Sequence, residues 1–184
     1  QESSHMEPIT EESSDLAAAT LDFNGRTLIT STFKNTVVIW NYNSGSAITE
    51  LDLGVVKSPV SVIRCFSTTG RNYLVRAGWD KTIWLYGEVT INKFELYRTF
   101  VGHTHDISEV QPYSSGIISG SVNGELLAWS FDTSSPLSAC ILHPESGIET
   151  MRIMDTTLFI GDSNGIMHII KIPKFEKIVS FQAH

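Results

Sequence analysis

The sequence predicts an all-β protein built from four copies of one four-stranded antiparallel unit. Three observations lead to this prediction. One phrase recurs four times at near-constant spacing, and the apolar runs around it are short and rich in Ile, Val, Leu, Phe and Thr. In addition, no segment shows a convincing helical stripe of apolar residues. Hydrophobic residues make up 41% of the chain and charged ones 18%, which is typical of a folded globular protein.

Each copy of the repeated phrase has a short turn, a strand of alternating residues and one bulky residue at a fixed offset. The copies read "STFKNTVVIWNYNSG" (31–45), "AGWDKTIWLYGEV" (77–89), "GSVNGELLAWSFD" (120–132) and "GDSNGIMHIIKIP" (161–173). Their bulky residues, spaced 46, 43 and 41 positions apart, are Trp40, Tyr86, Trp129 and Ile170. The Asp80-Lys81-Thr82 turn places Tyr86 in register instead of Trp84. We expect these bulky side chains to pack between neighbouring units.

Two apolar runs precede each phrase and a further run follows it. In chain order they cover 16–23, 27–32 and 47–51; 60–66, 73–77 and 94–101; 107–113, 116–119 and 138–142; and 148–154, 157–160 and 176–181. The Asn-Gly pairs at 24–25, 123–124 and 164–165 are hairpin dipeptides, because both residues tolerate positive φ. Four antiparallel strands repeated four times predict β-propeller blades, at approximately 15–52, 58–101, 103–143 and 146–183.

The stretch "FVGHTHDISEVQPYSSGIISGSVNGELLAW" (100–129) resembles a repeat of the WD-repeat β-propeller family, and the resemblance extends over 15–184. It implies a buried hydrogen-bonded set made of His103, Ser121, Asn123 and Trp129, in which Asn123 replaces the usual Asp. The other copies are degenerate. Since propellers of this family typically have seven blades, we expect four blades of a larger ring, completed by a longer form of the same chain or by another chain.

Charge and composition exclude several classes of partner. Residues 1–14 form a polar, acidic stretch that we interpret as a flexible tail, and residues 1–6 could include a cloning scar at Ser4-His5-Met6. The net charge of −7 disfavours a nucleic-acid partner. No apolar run approaches the roughly 20 residues that a membrane span needs, so no membrane association is expected. Cys65 and Cys140 are interpreted as reduced thiols of a cytoplasmic protein.

A candidate partner-binding surface follows from two aromatic residues on equivalent loops. Trp79 begins the turn between the second and third strands of its unit, at the narrow face of the propeller, and Phe33 has the same offset in the first unit. These rings suggest a protein interface, while local packing is the alternative that we favour slightly from the sequence alone. No Lys or Arg occurs between Arg98 and Arg152. A partner with a basic segment could therefore dock on Glu125, Asp132 and Glu145, unless these side chains are simply solvated.

The chain shows no convincing catalytic, metal-binding or cofactor-binding pattern. His103, His105 and Asp106 are closely spaced, but the propeller set already uses His103. The stretch "DSNG" (162–165) resembles the start of a calcium loop without its remaining ligands. Ser121 with His103 resembles part of a nucleophile–base pair, without a carboxylate to orient the imidazole. We therefore expect no enzymatic activity, no metal and no cofactor.

These inferences favour a non-catalytic scaffold for protein–protein interactions. An alternative is a substrate-recruiting adaptor of a ubiquitin ligase or another regulatory complex. Adaptors among the relatives often carry Trp-Asp-X-Arg after the third strand, and the corresponding stretches here, "WNYN", "YGEV", "WSFD" and "IKIP", lack the Arg. Residues 26–45, 78–86 and 102–110 resemble the large WD-repeat proteins of cilia and flagella. That resemblance implies a structural component of a cytoskeletal or axonemal assembly.

Overall fold

The computed structural model describes residues 15–54 and 58–184. Within these ranges the chain forms four antiparallel sheets of four strands and no helix, which confirms the predicted all-β class and the four four-stranded units. Accordingly, the described residues contain no helix capable of crossing a membrane. The predicted acidic tail at 1–14, including the suspected scar at 1–6, lies outside the described residues.

The strands of each sheet follow one another in chain order, so each sheet is a meander, here called a blade. Blade 1 comprises β1 (Leu16–Leu21), β2 (Leu28–Thr32), β3 (Val37–Asn41) and β4 (Ser46–Leu51). Blade 2 comprises β5 (Val60–Thr68), β6 (Arg71–Gly78), β7 (Thr82–Thr90) and β8 (Lys93–Val101). Blade 3 comprises β9 (Ile107–Tyr113), β10 (Gly116–Ser121), β11 (Glu125–Ser130) and β12 (Pro136–Ile141). Blade 4 comprises β13 (Ile148–Met154), β14 (Thr157–Asp162), β15 (Ile166–Lys171) and β16 (Glu176–Gln182).

The four bulky residues of the repeat occupy equivalent positions in their blades. On the second strand of each blade, one aliphatic residue pairs with the bulky residue of the third. The pairs are Leu28 with Trp40, Leu74 with Tyr86, Ile117 with Trp129, and Leu158 with Ile170. Tyr86, and not Trp84, is thus the equivalent of Trp129, as the turn predicted.

Apolar clusters fill the seams between successive blades. Tyr86 packs with residues of blade 1, Trp129 with residues of blade 2, and Ile170 with residues of blade 3. All three side chains are buried, and each faces the preceding blade. Trp40 is half-buried and donates its indole N–H to Thr30 Oγ1 at 2.7 Å.

The first strands of the blades line up next to one another, and polar contacts connect them. β5 contacts β1 and β9, and β9 contacts β13. The Ser61 hydroxyl of β5 donates to the carbonyl oxygen of Ile107 on β9, and the Ser108 hydroxyl of β9 donates to that of Ile148 on β13 at 2.5 Å. Two equivalent serines therefore connect three successive blades at the same edge.

Glycine is required at one of the predicted hairpin turns. Gly124, between β10 and β11, has a φ of +79°. A Cβ at this position would lie 2.6 Å from the carbonyl oxygen of His143 and 2.7 Å from that of Ser146. The turn therefore approaches the connection between blades 3 and 4 closely enough that only glycine fits.

Candidate interaction surface

The turns between the second and third strands of all four blades lie at one edge of the structure. In each turn, one backbone N–H donates to the carbonyl of the residue just before the blade's first strand. The pairs are Phe33 to Asp15 (3.1 Å), Trp79 to Pro59 (3.2 Å), Val122 to Asp106 (3.0 Å) and Ser163 to Gly147 (2.9 Å). This repeated contact shows that Phe33, Trp79, Val122 and Ser163 are structurally equivalent, as the sequence offset indicated.

A groove of about 540 Å³ opens at this edge, and blades 2, 3 and 4 contribute its walls. Trp79 and Val122 are 55% and 50% exposed at its side, so Trp79 is not buried by local packing. Among the residues that the structure describes, three carboxylates and no Lys or Arg line the groove. The lining residues are Ser61, Trp79, Asp106, Ile107, Ser108, Val122, Glu145, Gly147, Ile148, Glu149 and Ser163. Below, these residues are called the acidic groove.

The acids predicted to bind a basic partner do not form one surface. Glu145 lines the acidic groove, whereas Glu125 accepts a hydrogen bond from His103. Asp132 follows the opposite end of β11, and a strand of this length extends about 17 Å. The three acids therefore do not line one common groove, because Glu125 and Asp132, although close in sequence, lie at opposite ends of β11; their contact with a basic partner stays a prediction. Asp106 and Glu149, not among the predicted residues, join Glu145 instead.

A buried hydrogen-bonded set forms in blade 3, with two members that differ from the prediction. His103 Nε2 lies 2.6 Å from Ser119 Oγ, and Trp129 Nε1 donates to the same oxygen at 2.8 Å. His103 Nδ1 lies 2.8 Å from a carboxylate oxygen of Glu125. The set therefore comprises His103, Ser119, Glu125 and Trp129.

Ser121 and Asn123 were wrongly assigned to this set, because the register of β10 places them at the turn. Ile117 pairs with Trp129, so Ser119, two residues further along the same face, lies beside the indole. Ser121 follows an irregularity in the pairing of β9 with β10. Its hydroxyl donates to Asn123 Oδ1 within the turn.

The protonation of His103 follows from its partners. Burial lowers the pKa of His103 below its usual value, and the hydrogen bond and charge of Glu125 oppose this shift. In the neutral imidazole, Nδ1–H donates to the Glu125 carboxylate, which can only accept. Nε2 then accepts from the Ser119 hydroxyl, whose oxygen accepts from Trp129. All the hydrogen bonds of the set are thus satisfied with His103 neutral.

Blade 2 replaces this set with a buried arginine that the sequence analysis did not single out. Arg76 occupies the position equivalent to Ser119 and is fully buried. Its Cζ lies 5.1 Å from the centre of the Tyr86 ring. Arg76 Nη2 donates to the carbonyl of Leu53 at 3.2 Å, and the Tyr86 hydroxyl donates to the same carbonyl at 3.1 Å. Leu53 stands where His103 stands in blade 3, so its main chain replaces the imidazole.

In blade 4, a histidine of the third strand makes the buried polar contacts, in contrast to blade 3, where the histidine precedes the first strand. The His168 imidazole lies between Asp162 Oδ2 at 3.0 Å and Ser180 Oγ at 2.8 Å. Burial would raise the pKa of Asp162, but hydrogen bonds, first from His168 and then from the main chain of the following turn, lower it overall. The other Asp162 oxygen accepts from the backbone N–H groups of Asn164 and Ile166, so the carboxylate organises this turn.

Comparisons with known proteins agree with this architecture. No family model matches the chain. The curated proteins titled "WD repeat-containing protein on Y chromosome" from Drosophila pseudoobscura pseudoobscura and Drosophila persimilis are each 24% identical to it over 150 residues. These matches cover 79% of this chain, which spans only 12% of the length of each relative.

Among solved structures, the C-terminal WD40 domain of Sif2 superimposes with a TM-score of 0.66 at 16% identity. The match covers 91% of this chain and 60% of that one. Together with the four-fold repeat, these similarities support the WD-repeat family for this chain, whose four sheets have the fold of WD40 propeller blades.

Proposed function

We propose that this protein is a non-catalytic interaction scaffold whose acidic groove binds a basic segment of a protein partner. Proteins with the WD40 fold generally mediate protein–protein interactions and are generally not catalytic, which supports the scaffold role. The single observation that carries the proposal is the composition of the groove. Within the described part of the chain, its lining holds three carboxylates and no Lys or Arg, and the exposed Trp79 ring also lines it.

The groove has the chemistry that a Lys or Arg side chain requires. Glu145 and Glu149 are exposed and Asp106 is half-buried, so each carboxylate can accept hydrogen bonds from an ammonium or guanidinium group. The exposed indole of Trp79 offers an aromatic face for a cation, an interaction worth about 0.5–1 kcal/mol at exposed sites. Val122 adds apolar contact for the aliphatic part of the basic side chain.

The groove is also preorganised. Ser61 and Ser108 both line it, and their hydroxyls connect β5 to β9 and β9 to β13. The walls contributed by blades 2, 3 and 4 are thereby held at fixed spacing before a partner arrives. A preformed groove lowers the entropy cost of binding.

Fluorescence anisotropy with a labelled Lys/Arg-rich peptide at low salt tests this proposal. Replacing both Glu145 and Glu149 by Gln should weaken binding about tenfold, because two charge-assisted contacts are lost. Replacing Glu95 and Glu176 by Gln removes the same charge from exposed positions on β8 and β16, and should leave binding nearly unchanged. Equal weakening by the two pairs would show that only net charge matters, and would contradict a site at the groove.

The proposal extends to a structural role within a large cytoskeletal or axonemal assembly, in the cytoplasm or the cilium. Its support is the resemblance of residues 26–45, 78–86 and 102–110 to ciliary WD-repeat proteins. Imaging of the tagged protein in ciliated cells tests it, because this role requires signal along the axoneme. A diffuse signal excluded from cilia would contradict it.

A further inference from the structure

Blades 2 and 3 carry an aromatic cluster away from the acidic groove, where no function has been assigned. Phe66, Tyr73 and Phe131 stack with ring centres 5.5–6.0 Å apart. Tyr97 meets Tyr73 edge-on at 5.7 Å and is 41% exposed. Because Phe131 belongs to the turn after β11 and the other rings to blade 2, the cluster crosses the seam between these blades.

Arg71 lies over this cluster in a restrained position. Its Cζ is 5.7 Å from the centre of the Tyr73 ring and 5.3 Å from that of Tyr97. Gly87 makes room for it, since a Cβ there would lie 2.9 Å from both Arg71 Nε and Nη2. The guanidinium is thus held by two rings in an exposed position, which lowers the entropy lost when it binds an anion.

Arg98 follows Tyr97 of this cluster along β8, and its hydrogen bonding is incomplete. Its Nη1 donates to Ser134 Oγ at 3.0 Å, just beyond Phe131 in the chain. Its Nε is buried and has no hydrogen-bond partner among the residues that the structure describes. Within the described part of the chain, neither Arg71 nor Arg98 forms a salt bridge, whereas Arg64 is paired with Glu109.

The acids near these two arginines have other partners or point to solvent. Glu88 accepts from the Asn72 side chain and from the Asn92 backbone N–H. Glu95 lies 3.8 Å from Lys93. Asp132 is exposed next to Phe131 and is a further carboxylate that would oppose an incoming anion. Among the described residues, these two guanidinium groups thus have no ionic partner, in a protein with a net charge of −7.

We propose that Arg71, Tyr97 and Arg98, here called the basic aromatic patch, bind an acidic segment of a protein partner. Charge complementarity selects this occupant, because guanidinium groups bind carboxylates through paired hydrogen bonds. A nucleic acid is disfavoured, since its regular phosphate charge would meet the negative field of the whole protein. The scaffold would then hold a basic segment in the acidic groove and an acidic segment at the basic aromatic patch.

Anisotropy of a labelled Glu-rich peptide tests the patch, with a Gln-rich peptide of equal length as the probe control. The R71Q/R98Q variant should bind the Glu-rich peptide about tenfold more weakly than the unchanged protein. The R26Q/K34Q variant removes the same charge from exposed positions of blade 1 and should bind like the unchanged protein. R71K/R98K keeps the charge but loses the planar guanidinium groups that can donate two parallel hydrogen bonds to one carboxylate. We therefore expect an intermediate affinity.

Several outcomes would overturn the proposal. These are equal weakening by R71Q/R98Q and R26Q/K34Q, equal affinity for the two peptides, or binding of a single-stranded oligonucleotide in preference to the Glu-rich peptide. Changing Glu145 and Glu149 to Gln should leave binding of the Glu-rich peptide intact. This comparison distinguishes a failure of the proposal for the basic aromatic patch from a failure of the proposal for the acidic groove. Thermal melting of each variant checks that the fold is kept.

Discussion

The indole Nε1 of Trp129 donates a hydrogen bond to the Ser119 hydroxyl at 2.8 Å, with both side chains fully buried at the seam between blades 2 and 3. Through Ser119 this contact reaches His103, which lies in the connection leading to β9. Asp106 lies three residues further along that connection and lines the acidic groove. The buried set therefore supports one wall of the proposed binding site.

Ser119→Ala should destabilise the protein by about 2–3 kcal/mol. The substitution leaves Trp129 Nε1 and His103 Nε2 buried without their partner, and each unsatisfied group costs about 1–3 kcal/mol. Ser121→Ala is the matched control, because Ser121 is equally buried but its hydroxyl bonds locally, to Asn123 Oδ1 and the Glu125 carbonyl. We expect it to cost about 1 kcal/mol in urea unfolding. A larger loss for Ser121→Ala would contradict the corrected set.

Glu109→Gln should weaken the seam between blades 2 and 3. Both Glu109 oxygens accept from Arg64 Nη2, at 2.6 and 2.9 Å, and the Glu109 side chain is only 8% exposed. Removing one partner of such a pair leaves a poorly solvated charge, so we expect a loss of about 2–3 kcal/mol in chemical denaturation.

Glu95→Gln provides the comparison for this ion pair. Glu95 and Lys93 are 63% and 67% exposed and lie 3.8 Å apart, so this substitution should change the free energy of unfolding by less than about 0.5 kcal/mol. Similar losses for the two variants would show that the Arg64–Glu109 pair does not stabilise the seam.

Stability should fall as the pH drops below neutrality, in part because of His103. Burial lowers the pKa of His103 in the folded state, so the unfolded chain binds more protons once the pH falls below about 6.5. The contribution of His103 is therefore present above this pH and is lost on acidification. Melting curves between about pH 7.5 and 5 should show a shallower decline for His103→Gln. If the melting temperatures of the unchanged protein and of His103→Gln fell in parallel, this would count against a neutral, buried His103.

The repeat register was predictable from the sequence because turn residues and strand alternation constrain it locally. Trp40, Tyr86, Trp129 and Ile170 could be aligned from their turns alone, and Trp84 could be set aside. The equivalence of Phe33 with Trp79 followed from the same offset. Each of these inferences depends on neighbours within about ten residues, where strand geometry allows few alternatives.

The polar contacts between strands were less predictable, because they depend on register and on compensation between distant residues. Ser119 and Ser121 share one face of β10, and only the pairing of Ile117 with Trp129 distinguishes them. Arg76 replaces a small hydroxyl residue, and its guanidinium reaches a main-chain carbonyl of the preceding connection. The repeat alignment already places Arg76 at the position equivalent to Ser119. This was the available signal that blade 2 has a different buried polar contact.

Hydrogen–deuterium exchange with a bound Lys/Arg-rich peptide tests most directly that the edge near Trp79 is the interaction surface. We expect protection to concentrate at the turn after β6, the turn after β10 and the connection containing Glu145. Trp79→Ala should reduce this protection, while Tyr42→Ala, at an exposed aromatic residue in blade 1, should not. Protection confined to segments away from the groove, or protection unaffected by Trp79→Ala, would contradict the account.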